Sequence, residues 1–154
     1  MKVADMSRFL ILLFYALLFL PIILLSADKD EDTIIGKWYT EGGKSKVDVY
    51  KKNGKFYGKI IWLKIPNDEN GNIKKDKNNP DENKRDRKLV GLLILKNFEY
   101  DGDREWDDGE IYNPEDGETY SCVINMSDDG NTLDVRGYIG ISLFGKTTVW
   151  KRVE

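Results

Sequence analysis

Ten carboxylates fall between Glu99 and Glu118 (Glu99, Asp101, Asp103, Glu105, Asp107, Asp108, Glu110, Glu115, Asp116 and Glu118) against one base, Arg104. Such side chains can hold a hard cation such as Ca²⁺, or work in pairs on a glycosidic bond. The spacing argues against a calcium loop of the EF-hand type. That loop needs glycine at its sixth position for a sharp turn. Read from Asp103 the sixth position is Asp108, and read from Asp68 the glycine comes too early, at Gly71. The glycosidase reading is weak, because acids are common here and most lie in turns. The stretch therefore reads as solvated turns, with a weak divalent site or a surface for a cationic partner as the alternative. The chain has no histidine. That removes the commonest general base, nucleophiles activated by histidine, and histidine-ligated zinc. The expectation is a protein with no catalytic residues, no metal and no cofactor, a carboxylate-pair hydrolase being the residual enzymatic reading.

A second charged stretch, residues 64–88, carries eight bases (Lys64, Lys74, Lys75, Lys77, Lys84, Arg85, Arg87, Lys88) interleaved with six acids (Asp68, Glu69, Asp76, Asp81, Glu82, Asp86). Near balance points to local pairing rather than to docking on an anionic partner. One arrangement would send Arg85 or Arg87 to the acids of 101–110. The lone cysteine, Cys122, excludes an intramolecular disulfide and reads as a buried small hydrophobe. The aromatics are the binding candidates: Trp38, Trp62, Tyr120 and Trp150, with Arg136 and Arg152 as polar groups beside them. A barrel of about eight strands either fills with side chains or holds one small ligand. The sequence leaves that choice open.

The elements that would position these residues are strands. Residues 34–40 (Ile-Ile-Gly-Lys-Trp-Tyr-Thr) form the first. Gly36 permits a close approach, and Trp38 supplies a large apolar plug with one N–H donor. The last strand, 146–153, offers Arg152, whose guanidinium can lie across that indole. Between them come 45–51, an Asn53-Gly54 hairpin step, and a long strand over 55–64. On the long strand Phe56, Gly58, Ile60 and Trp62 share one face. In the polar segment 65–88, Asn79 is placed to cap a short helix opening at Pro80-Asp81-Glu82. The run 89–95 is continuously apolar and therefore buried. Residues 96–109 look acidic and irregular, followed by a short strand to Pro114. Residues 118–127 return, with Tyr120, Cys122, Ile124 and Met126 on one face. On 132–139 Leu133, Val135 and Gly137 point inward. Ile139–Phe144 is an apolar connector, expected to pack on the barrel, with an exposed patch for a partner or membrane surface as the alternative. Seven or eight strands with short turns make an all-β meander barrel or sandwich.

Residues 9–25 hold no charge, follow Lys2 and Arg8, and precede Ser26-Ala27. That is the pattern of a secretory signal peptide. Leu24 and Leu25 make a poor cleavage site, so an uncleaved anchor is the alternative. The expected organisation is a leader over 1–27, a linker over 28–33 and one domain over 34–153. Without the leader the net charge is about −4, which argues against nucleic-acid binding.

The ordered pieces Gly36-Lys37-Trp38, Tyr57-Gly58-Lys59-Ile60, Asp76-Lys77-Asn78-Asn79-Pro80-Asp81, Trp106-Asp107-Asp108-Gly109, Ile111-Tyr112-Asn113-Pro114, Leu133-Asp134-Val135-Arg136-Gly137-Tyr138 and Trp150-Lys151-Arg152-Val153 resemble the bacterial family known as domain of unknown function 2147. The resemblance spans 34–153. It implies a small exported protein with a single antiparallel, lipocalin-like (calycin-like) barrel of about eight strands, and it assigns no catalytic or binding residue. Cys122 departs from the small residue expected there, and Asn113 from the commoner aspartate. The functional expectation is an exported, periplasmic or secreted, non-enzymatic protein that binds a small apolar or amphipathic ligand and meets a membrane only through an uncleaved leader. The alternative is an envelope interaction module with a filled core, acting through its charged loops.

Overall fold

Asn53 and Gly54 both take positive φ, 53° and 76°, the backbone that a two-residue hairpin turn requires. They join β2 (Ser45–Lys52) to β3 (Lys55–Leu63), as the Asn-Gly step predicts. The computed structural model describes residues 30–154, so the expected leader, residues 1–27, lies outside the described residues. One compact unit spans Glu31–Glu154. Glu31 and Asp32 already belong to it through Lys51, with Asp32 at 3.0 Å. The barrel unit thus begins inside the stretch expected to be linker. Among the described residues no helix is long and apolar enough to cross a membrane.

Eight antiparallel strands close into a barrel in sequence order: β1 (Gly36–Tyr39), β2, β3, β4 (Leu93–Gly102), β5 (Glu105–Asn113), β6 (Glu118–Met126), β7 (Thr132–Tyr138) and β8 (Lys146–Arg152). Closure comes from β1 against β8, with Trp38 opposite Arg152 and Tyr39 opposite Lys151. The expected architecture is therefore present, and of the two meander forms it is the barrel.

Residues 96–109 correct the sequence reading. They are the arms of a bulged β4–β5 hairpin. Its acids Glu99, Asp101 and Asp108 face solvent while Phe98, Trp106 and Gly109 face the core. The turn uses positive φ at Gly102, Asp103 and Arg104. Dense outward charge and bulges with positive φ at Asn97 and Asp108 hid the strands, since the inward pairs Leu95/Phe98 and Trp106/Gly109 are three apart rather than two.

The core occupies one half of the barrel. Trp38, Val47, Val49, Phe56, Phe98, Trp106, Ile124 and Leu133 are essentially sealed from water. Trp106 packs edge-on against Phe56 and donates its indole N–H to the Glu31 carbonyl at 3.1 Å. The 3₁₀ turn Asp32–Ile34 covers this end. Trp38 Nε1 donates to the Ile34 carbonyl at 2.9 Å. The Arg152 guanidinium lies 4.1 Å from the centre of the Trp38 ring and donates to the carbonyls of Thr33 at 2.7 Å and Gly130 at 2.9 Å. Gly36 makes room for it: a Cβ there would stand 3.1 Å from Arg152 Nη1, and its φ of 136° disfavours any other residue.

Candidate functional site

The other half of the barrel is open. The loops β1–β2, β3–β4, β5–β6 and β7–β8 surround a cavity of about 850 Å³. Its walls are largely apolar: Ile60, Leu63, Ile94, Ile111, Val135 and Trp150. Polar atoms enter at a few points, among them Ser45, Tyr112 and Thr148. Trp150 marks the floor. It is buried, and its Nε1 donates to Thr148 Oγ1 at 3.1 Å. A pocket of this size with few polar groups suits a small organic molecule.

The six candidates separate. Tyr120 and Trp150 line the cavity. Trp38 and Arg152 lie together at the closed end, among the core residues that seal it. Trp62 is outside, 40% exposed, edge-on to Tyr39 with Lys46 over its ring. The expectation that it shares a face with Ile60 is corrected by a bulge. Val47 pairs with Ile60 but Lys46 pairs with Trp62, so one residue of β3 is extra and the alternation flips. Leu63 takes the inward place instead. Arg136 also points out of the barrel. It holds the β7–β8 connector, donating to Ser142 O at 2.7 Å, Leu143 O at 3.0 Å and Thr147 Oγ1 at 2.9 Å. That connector is a second correction: Ile139, Ile141, Leu143 and Phe144 are exposed rather than packed on the barrel.

Sequence reasoning missed the group that builds one wall of the mouth. Asp76, fully buried, accepts from Tyr112 Oη at 2.5 Å, Asn79 Nδ2 at 2.8 Å and Arg87 Nη2 at 2.9 Å. Burial, with the Asp76 hydrogen bond next, pushes the Tyr112 hydroxyl up to about 12. The loop over 64–92 is thereby pinned to β5. Asn78 Nδ2 adds a bond to Glu115 O at 2.8 Å, and Asn78 O occupies the space a Cβ at Gly117 would need, 1.9 Å away. Asp68 organises the loop's tip by accepting from the backbone of Asn70 and Asn72 and from Lys77. The short helix expected after Pro80 is a 3₁₀ turn, Glu82–Lys84, capped by Asp81 rather than Asn79. The local pairing expected of this stretch is present, and Arg85 and Arg87 pair within it, with Glu82 and Asp76. Nothing in the sequence marks Asp76 among the six acids of 64–88, since its partners are side chains that the fold brings to it.

Elsewhere, Cys122 is buried, and burial pushes its thiol up to about 12. Asp101, Glu105 and Asp107 can each place a carboxylate oxygen within 4.8 Å of the others. Burial raises Asp107, and its acidic neighbours Asp108, Asp101 and Glu105 add to the shift. Three oxygens are about half of what Ca²⁺ takes. Millimolar Ca²⁺ is therefore expected to move the melting temperature by less than about 1 °C. A clear rise in a calorimetric scan would make these acids a cation site.

The family model described as an uncharacterised protein conserved in bacteria, domain of unknown function 2147, matches residues 36–152. The chain belongs to this family. A search of curated proteins finds no match. Among solved structures the chain is similar to protein HP1028 from the human pathogen Helicobacter pylori, described as belonging to the lipocalin family. The two are 30% identical, with a TM-score of 0.69 over 79% of this chain and 83% of that one. The closed eight-strand antiparallel barrel agrees with that lipocalin-like neighbour.

Proposed function

We propose that this member of the family is an exported envelope protein that binds a small apolar or amphipathic molecule in the open half of its barrel, without catalysing a reaction on it. The observation that carries the reading is the cavity of about 850 Å³, apolar on its walls and floored by Trp150. A barrel of about eight strands is wide enough to hold one small ligand where side chains do not fill it. The alternative, a filled barrel acting through its loops, fits less well, because side chains fill only the closed half. A binding role is also consistent with the lack of histidine and with the engagement of two of the three acids at the rim. Asp116 accepts from Tyr120 Oη and Asn113 Nδ2, and Glu115 lies near Lys44. Export is supported by the charge-free run over 9–25 behind Lys2 and Arg8.

Two measurements test this. Native mass spectrometry of protein purified from its own cell envelope should show an added mass that denaturation releases. In vitro, the fluorescent probe 1-anilinonaphthalene-8-sulfonate should bind one per chain. Gly137 lines the cavity, and a Cβ there meets only ordinary contacts, Ile111 at 3.4 Å and Tyr120 at 3.5 Å. Gly137→Leu should therefore fill the space and weaken the probe about tenfold, roughly one hydrophobic side chain's worth of lost volume and contact. Unchanged affinity in that variant, with no co-purifying mass, would refute the reading.

A further inference from the structure

The β7–β8 connector presents four apolar side chains to water: Ile139 is 76% exposed, Ile141 58%, Leu143 73% and Phe144 79%. Its backbone is held. Ser142–Phe144 form a 3₁₀ turn, Gly145 N donates to Ser142 O at 3.2 Å, and Arg136 grips the carbonyls of Ser142 and Leu143. Isolated exposed apolar residues need no explanation, but four on one fixed loop mark an interaction site. Ile139 and Phe144 also line the cavity mouth. So do Lys64, Lys74 and Lys146, none of which makes an ion pair among the described residues. The fourth rim lysine, Lys44, is 3.8 Å from Glu115, and the remaining rim acids are Glu41 and Asp116.

We propose that the open rim docks on an anionic lipid surface. Leu143 and Phe144 enter the acyl boundary, and Lys64, Lys74 and Lys146 meet the phosphates. An exposed apolar loop on a mouth that also carries three unpaired ammonium groups matches that surface in both polarity and charge. It matches a second copy of the chain less well, since rim-to-rim pairing would face the same lysines against each other. This adds a membrane contact to the one expected of an uncleaved leader. It goes beyond the binding role and holds whether or not the cavity takes a ligand.

The test uses Glu31–Glu154, the compact unit that holds all eight strands and the buried core. It is floated with phosphatidylcholine vesicles, plain or containing one third phosphatidylglycerol, at low and physiological salt. The anionic vesicles should bind it at least about tenfold more strongly, and salt should weaken the binding. Leu143→Ser/Phe144→Ser should lose about tenfold. Lys64→Gln/Lys74→Gln/Lys146→Gln should lose the preference for anionic lipid. Gly137→Leu should bind vesicles like the parent, which separates failure of docking from failure of ligand binding. All these positions face solvent or the cavity, and circular dichroism checks that each variant is folded. Equal binding to both vesicle types, or a serine variant that binds like the parent, overturns the proposal. So does a dimer in sedimentation that the same serine substitutions dissolve.

Discussion

Trp38→Ala should lower unfolding free energy by about 3–5 kcal/mol, the usual loss for truncating a buried tryptophan. The indole has no exposed surface, donates to Ile34 O, and forms the plate on which Arg152 rests. Its removal opens a void at the sealed end and takes the cation–π contact with it. Urea denaturation followed by circular dichroism measures the change. A loss under about 1 kcal/mol would mean that the closed end is not held as described here. Arg152 is the control: Arg152→Met keeps the stem and removes the charge, and it should cost less than Trp38→Ala.

Asp76→Ala should cost about 3 kcal/mol. The carboxylate collects three donors and has no exposed surface. Once it is gone, Arg87, 45% exposed, can turn outward. Tyr112 Oη cannot, and an unpaired buried donor costs about 1–3 kcal/mol by itself. The loop over 64–92 loses its pin as well, so trypsin should cut it earlier than in the parent. The Tyr112 hydroxyl, held near 12, should titrate lower, though still above an exposed tyrosine, because burial is the larger cause of its shift. A phenol that keeps its proton more tightly when folded favours the folded state below pH 10. That contribution fades as pH rises from 10, its ordinary value, through 12. A variant with parental stability and parental tyrosine titration would show that Asp76 does not organise the mouth.

Much of the barrel could be read from residue order because it rests on local rules. Asn53-Gly54 announced its turn, and alternation placed Cys122, Ile124 and Met126 inward on β6 and Leu133 and Val135 inward on β7. The pairing of Trp38 with Arg152 was legible because an indole needs a cover and the last strand carries the cation. Trp62 was misplaced because alternation carries no mark of a bulge; only the partner strand reveals the extra residue. The β4–β5 hairpin was missed because its charge density imitates a loop. Asp76 was overlooked among six acids of equal standing in sequence, since what singles it out is the burial created by Tyr112, thirty-six positions away. The cavity is a matter of volume left over, which no pattern of types encodes.

The seam between β1 and β8 joins only two registered residue pairs, while β2 and β3 share eight. Six of the other pairings join neighbours across short connections and can form by zipping a hairpin, while β3 and β4 meet across the loop over 64–92. The seam alone must bring together segments more than a hundred residues apart, and loop closure of that kind is slow. The six hairpins, and then the β3–β4 pairing, thus have every reason to assemble first as a curled ribbon, with ring closure coming last. The same thinness makes this line the place where the ring would part, like a cuff fastened by a single button.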